Sequence, residues 1–137
     1  MVGLVIVTHG RLADEFVKVA GDIIGQVKGL LPVCISRDEA VDKARKEIEA
    51  AIKGADEGDG VILFTDMFGG TPSNLSLSFL DEERTEVICG VNLPMVIKAS
   101  MIREGKGLKE LASLIKEYGE KSISLVSEIL TKKPAKK

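Results

Sequence analysis

Val2-Gly3-Leu4-Val5-Ile6-Val7-Thr8-His9-Gly10 decides the fold. The run is apolar at consecutive positions and rich in β-branched residues. That predicts a strand over Val2–Thr8, buried on both faces, with a turn beginning at His9-Gly10. Leu12, Phe16, Val19, Ile23 and Val27 then recur at helical spacing, and Gly29 closes that helix. A second strand is expected at Leu31–Ile35. Ser36 and Glu39 read as a capping box, opening a helix with Val41, Ala44, Ile48 and Ile52 on one face and Gly54 as its stop.

The alternation continues. Gly60–Thr65 predicts a third strand, Asp66–Thr71 a loop, and Pro72 the first turn of a helix capped by Thr71. Glu86–Cys89 predicts a fourth strand. Leu93–Arg103 and Leu108–Tyr118 predict helices separated by Gly105 and Gly107. Ser122–Val126 alternates apolar and polar residues and predicts an extra edge strand. Strands alternating with helices imply an α/β fold with a mostly parallel sheet covered on both faces. The expected strand order is 2-1-3-4, with an antiparallel C-terminal strand at one edge.

Bulk properties narrow the function. The chain has 137 residues, enough for one domain, of which 45% are hydrophobic and 29% charged. With 19 basic against 21 acidic residues, the net charge of −2 gives no reason to expect nucleic acid or an anionic membrane as partner. No apolar run approaches the ~20 residues of a membrane helix. The first residues lack the basic segment and cleavage site of a signal peptide. Cys34 and Cys89 sit in apolar runs and read as core residues of a cytoplasmic protein. One histidine and two separated cysteines offer no zinc spacing. Lys132-Lys133-Pro134-Ala135-Lys136-Lys137 reads as a solvated tail or linker stub, which divides the chain into a domain at 1–127 and a tail at 128–137.

In an open α/β sheet, ligands bind beyond the carboxyl ends of the strands, where strand order reverses. Strand one ends in Thr8-His9-Gly10 and strand three in Thr65-Asp66. If the two strands are neighbours, His9 and Asp66 meet. A carboxylate accepting from Nδ1–H fixes the imidazole tautomer and leaves the Nε2 lone pair free. Gly69-Gly70-Thr71, just before a helix, can aim backbone N–H groups at an anion. Neither a P-loop nor a GxGxxG fingerprint is present, so nucleotide binding has little support. An imidazole nucleophile beside an N–H cradle suits transfer of a phosphoryl group between proteins. The other readings of these residues are a receiver-like domain phosphorylated on Asp66 and a binding module without chemistry.

Three segments in order carry a more specific signal: Val7-Thr8-His9-Gly10, then Asp66-Met67-Phe68-Gly69-Gly70-Thr71-Pro72-Ser73-Asn74, then Gly90-Val91-Asn92-Leu93-Pro94-Met95. On these residues the chain resembles the IIA domain of the mannose family of the phosphoenolpyruvate-dependent sugar phosphotransferase system (PTS), over roughly residues 1–127. The resemblance implies that His9 is the phosphorylated residue, Asp66 its support, and Thr71 with Gly69 and Gly70 the phosphoryl-binding turn. It implies HPr as donor and a IIB component as acceptor, with membrane contact only through permease subunits and no metal or cofactor. It also implies a homodimer in which the C-terminal strand, here Ser122–Val126, is exchanged. Related readings are a IIA-like subunit feeding a dihydroxyacetone kinase and a regulatory IIA without transport.

Overall fold

The computed structural model describes residues 1–131. Strands β1 (Gly3–His9), β2 (Leu30–Ile35), β3 (Val61–Thr65) and β4 (Thr85–Cys89) form one parallel sheet in the order β2-β1-β3-β4. Helices α1 (Leu12–Ile24), α2 (Val41–Ala55), α3 (Thr71–Leu77), α4 (Leu93–Ile102) and α5 (Leu108–Lys121) follow, and α6 (Val126–Thr131) ends the described chain. The predicted α/β class, strand order and helical cover on both faces are therefore those of the structure.

Strand alternation splits the core in two. Leu4 and Ile6 of β1, with Ile62, Phe64 and Ile88, pack against Ala13, Ala20, Val96, Leu111 and Ile115 of α1, α4 and α5. Val5 and Val7, with Val33, Ile35, Val61 and Leu63, pack against Ala44 and Ile48 of α2 and Leu75 of α3. Each fully buried Leu, Ile, Val or Phe contributes roughly 1.5–3 kcal/mol of transfer free energy. Central β1 and β3 hold most of the completely buried side chains. Pro32 lies in β2, an edge strand, where its missing N–H breaks no ladder.

Local corrections follow from hydrogen bonding. Helix α1 ends at Ile24 because Gly25 turns to φ 86, so Val27 and Gly29 lie in the following turn. Ser36 and Glu39 do not open α2. Glu39 Oε1 accepts from Ser36 N at 3.1 Å and Glu39 N donates to the Ser36 carbonyl, closing a tight turn; α2 starts at Val41 without a side-chain cap. Gly54 does not stop α2, which runs to Ala55. Thr71 does not cap α3 either. The cap position is Gly70, and no side-chain cap bond forms.

Within the single chain, Ser122–Val126 does not form the edge strand expected from an exchange between two copies. Ser122 closes α5, its Oγ donating to the Tyr118 carbonyl at 2.7 Å, and Val126 begins α6. An alternating run becomes a strand only where an edge accepts it, and among the described residues none pairs with Ser122–Val126. Ile123 and Leu125 stay 79% and 61% exposed. Residues 128–131, expected in the tail, continue α6. Lys132–Lys137 lie outside the described residues.

Candidate functional site

Odd-numbered residues of β1 face α2 and α3, and His9 is the last of that row. Val5 and Val7 are buried; His9 clears the sheet beside the start of α3, its side chain 52% exposed. Thr8 points the other way, where its Oγ1 accepts from Ala13 N at 2.7 Å and holds the first turn of α1. Gly10 follows at φ 56, a left-handed conformation that releases the chain from the sheet directly after His9. Its N–H donates to the Ile35 carbonyl at 2.9 Å.

Val7 is in register with Thr65, so the residue after β3 lies level with Thr8, one residue short of His9. There Asp66 Oδ2 accepts from His9 N at 2.9 Å and meets His9 Nδ1 at 2.8 Å. Its Oδ1 accepts from Met67 N at 2.9 Å. The Asp66 side chain is only 12% exposed, so these contacts stand mostly out of water. An ionised carboxylate has no proton to donate. In the neutral ring Nδ1 is therefore the donor, and Nε2 keeps its lone pair.

The glycine turn lies against that nitrogen. A Cβ on Gly70 would stand 2.6 Å from His9 Cε1 and 2.8 Å from Nε2. Gly69 adopts φ 103, and its N–H is already given to Ser73 Oγ at 3.3 Å. In the turn beside the imidazole, neither the Gly70 nor the Thr71 N–H bonds to a described residue. Because α3 is only seven residues long, these free N–H groups matter more there than a helix dipole. Thr71 lines a cleft of ≈ 540 Å³ together with His9, Gly10, Ile35, Ser36, Arg37, Glu39 and Val41. Met67 and Phe68 beside it are exposed, Phe68 by 73%. A second cleft of similar size, lined by Met1, Glu57, Asp59 and Glu104–Gly107, opens at the opposite end of the sheet and is lined by no histidine.

His9, Asp66, Gly70 and Thr71 are thus brought together as the sequence predicted, while Gly69 supplies the turn but not a free N–H. The third motif sits apart from the imidazole. Asn92 caps α4, its Oδ1 accepting from Met95 N at 3.0 Å, and its Nδ2 donates to the Gly119 carbonyl. Two contributors escaped the sequence reading. Ser73, fully buried, braces the glycine turn; its place one turn into α3 was the available signal. Arg37 lines the cleft from the turn after β2, two residues beyond the partner of His9. Among the described residues no three His, Cys, Asp or Glu side chains converge to hold a metal ion.

Comparison with known proteins places the chain in a family. A family described as "PTS system fructose IIA component" (EIIA-man) matches residues 3–116. The chain is 30% identical over 133 residues to the fructose-specific EIIA component of the PTS of Bacillus subtilis, covering 96% of this chain and 91% of that protein. It is also 30% identical to the mannose-specific EIIAB component of Escherichia coli, where 99% of this chain spans only 42% of the relative. Among solved structures, an EIIA from Streptococcus agalactiae superposes with a TM-score of 0.84 at 21% identity, covering 93% of this chain and 98% of that one. The mannose/sorbose IIA subunit from Enterococcus faecalis does so with 0.81 at 23%, covering 90% and 93%.

Proposed function

We propose, from the fact that the chain belongs to the mannose/fructose-type family of PTS IIA components, that Nε2 of His9 is the atom that carries its phosphoryl group. The observation that carries this reading is the 2.8 Å contact of His9 Nδ1 with Asp66 Oδ2, which leaves Nε2 the only nucleophilic ring nitrogen. The donor is the phosphohistidine of HPr and the acceptor a IIB component. As the N–P bond to the donor breaks, one forms to Nε2 in line with it, and the imidazole gains positive charge. Asp66 balances that charge without taking the proton. The Gly70 and Thr71 N–H groups and the Thr71 hydroxyl receive the equatorial oxygens, with Gly69 shaping the turn; a positioned donor of this kind is worth roughly 2.7–4 kcal/mol in comparable sites.

Exposed Met67 and Phe68 beside the nucleophile suit a site that must meet another protein surface. The same reading makes 1–127 the phosphocarrier domain of a cytoplasmic homodimer, touching membrane only through permease subunits. A second copy is the natural cover for Ile123, Leu125 and Val126. Since the relatives above are sugar PTS components, a IIB acceptor is preferred over a dihydroxyacetone kinase subunit or a purely regulatory role.

The test uses labelled phosphoenolpyruvate, enzyme I and HPr. Wild-type chain should acquire label that is lost in acid and kept in base, and His9→Ala should acquire none. Label on His9→Ala, or label lost in base, defeats the proposal.

A further inference from the structure

We propose that Arg37 is a phosphoryl-binding residue of the loaded form, a cation that this chain itself supplies to the group on His9. The inference rests on the reading of His9 as the phosphorylated residue and names a contact that reading does not require.

Three observations carry it. Ile35, the last residue of β2, is the register partner of His9, so the turn that follows starts level with the imidazole. Arg37 stands in that turn and lines the same cleft as His9 and Thr71. Its guanidinium forms no ion pair with the described residues, although carboxylates are close in sequence. Glu39 is committed to Ser36 N at 3.1 Å and to Lys43 at 3.8 Å. The other cation next to the site, Arg11, is already held by Asp14 at 2.6 Å. Arg45, further along, donates to Ser78 Oγ at 3.0 Å. Arg37 is thus the uncommitted guanidinium on the rim of the nucleophile's cleft.

The chemistry matches. A phosphoryl group brings about −1.5 to −2 charges and three acceptor oxygens near neutral pH. A guanidinium presents paired donors that fit two of those oxygens at once. Glu39 shares the cleft but is turned to Ser36 N and Lys43, and Arg37 forms no ion pair with it; after loading, the phosphoryl oxygens offer the guanidinium a partner. Because the residue is exposed, the interaction is modest and screened by salt.

The phosphorus signal of the loaded, isolated protein reads the contact directly. Pairing with Arg37 favours the dianion, so Arg37→Gln should shift the phosphoryl titration upward by about half a pH unit, a roughly threefold change in the ratio of the two anions. Arg37→Lys should recover part of the shift, and high salt should shrink the difference. The substitution removes no buried contact, so an unchanged melting curve is expected alongside. A loaded Arg37→Gln protein that titrates as wild type overturns the inference while leaving His9 as carrier. So does a mutant whose only defect is a higher KM for the donor protein, which would make Arg37 a docking contact. Failure of the wild-type chain to load on His9 would instead remove both readings.

Discussion

Adding one methyl group at Gly70 isolates the contact between the glycine turn and the imidazole. Gly70 has φ −95 and ψ 178, a conformation open to any residue, so Gly70→Ala introduces no backbone strain. What it introduces is a carbon 2.6 Å from His9 Cε1 and 2.8 Å from Nε2. Carbon atoms rest at about 3.5–4.0 Å, so one partner must retreat by about 1 Å. The ring cannot move toward Asp66, because Nδ1 already stands at 2.8 Å from Oδ2. It must swing outward, where its 52% exposure leaves room. That motion stretches the Nδ1 bond past useful length and withdraws the reason for Nε2 to be the sole nucleophile. A misplacement of about 1 Å in a transfer site costs on the order of 10²-fold in rate, or about 2.7 kcal/mol of barrier. Stability should change little, since the ring relaxes into solvent.

The assay is single-turnover loading from phosphorylated HPr, paired with a thermal melt and the imidazole nitrogen spectrum. The chain has one histidine, so its ring signals are assigned without ambiguity. We expect a folded mutant, slow loading, and ring nitrogens approaching a mixture of tautomers. Loading at wild-type rate with the wild-type tautomer preserved would refute the steric argument.

Three further outcomes are expected. Asp66→Asn keeps one acceptor oxygen for three donors, His9 N, Nδ1 and Met67 N, and should slow loading by roughly 10²-fold or more in the same single-turnover experiment. Thr71→Val should leave the melting curve within about 0.5 kcal/mol of wild type, since Thr71 caps nothing, yet slow transfer roughly tenfold or more; equal rates would reduce it to a lining residue. Asp56 is held below the ordinary aspartate range chiefly by the Gly58 N–H, then by Gly60 N–H and Arg84, against the opposing cost of partial burial. Asp56→Ala should therefore cost about 1–2 kcal/mol near pH 7, with the difference from wild type vanishing in chemical denaturation as pH falls below about 4 and through the depressed folded-state value.

The strands were legible because their signal is local: β-branched, consecutively apolar runs such as Val2–Val7 and Val61–Phe64 have few alternatives in a chain of this size. The His9–Asp66 pair was legible once β1 and β3 were taken as neighbours, since both residues end a strand. What escaped depends on choices that the local pattern leaves open or on contacts distant in sequence. Thr8 holds the first turn of α1, five residues on, because β1's other face is turned to that helix. Glu39 turns back on Ser36 before the helix begins, so a capping-box pattern produced a turn. Ser122–Val126 has the alternation of a strand, but the pattern carries no information about an edge to receive it. Arg103, 3% exposed, donates to the Val2 and Lys28 carbonyls across 101 and 75 residues, with Nε unpartnered among the described residues; nothing in its neighbourhood in sequence announces burial.

Asp56 and Asp66 show why the chemistry belongs to one end of the sheet. Each aspartate lies near a glycine turn beside β3, one before the strand and one after it. Asp56 Oδ1 accepts from Gly58 N and Gly60 N, and its Oδ2 accepts from Arg84 at 2.6 Å. Such a residue stabilises its own loop and does nothing more. Asp66 also fills its lone pairs, but one of its donors is a bifunctional ring. By fixing Nδ1 it exposes a second, unsatisfied nitrogen at the far side of that ring. In the same turn and cleft are groups without a partner among the described residues: the N–H of Gly70 and Thr71, and the Arg37 guanidinium. Unpartnered donors usually cost stability, and at the amino-terminal end of the sheet the corresponding groups are paired, Met1 with Asp59 and Arg84 with Asp56. At the carboxyl end the Gly70 and Thr71 donors have no partner among the described residues, an arrangement that suits an anion bonded to Nε2.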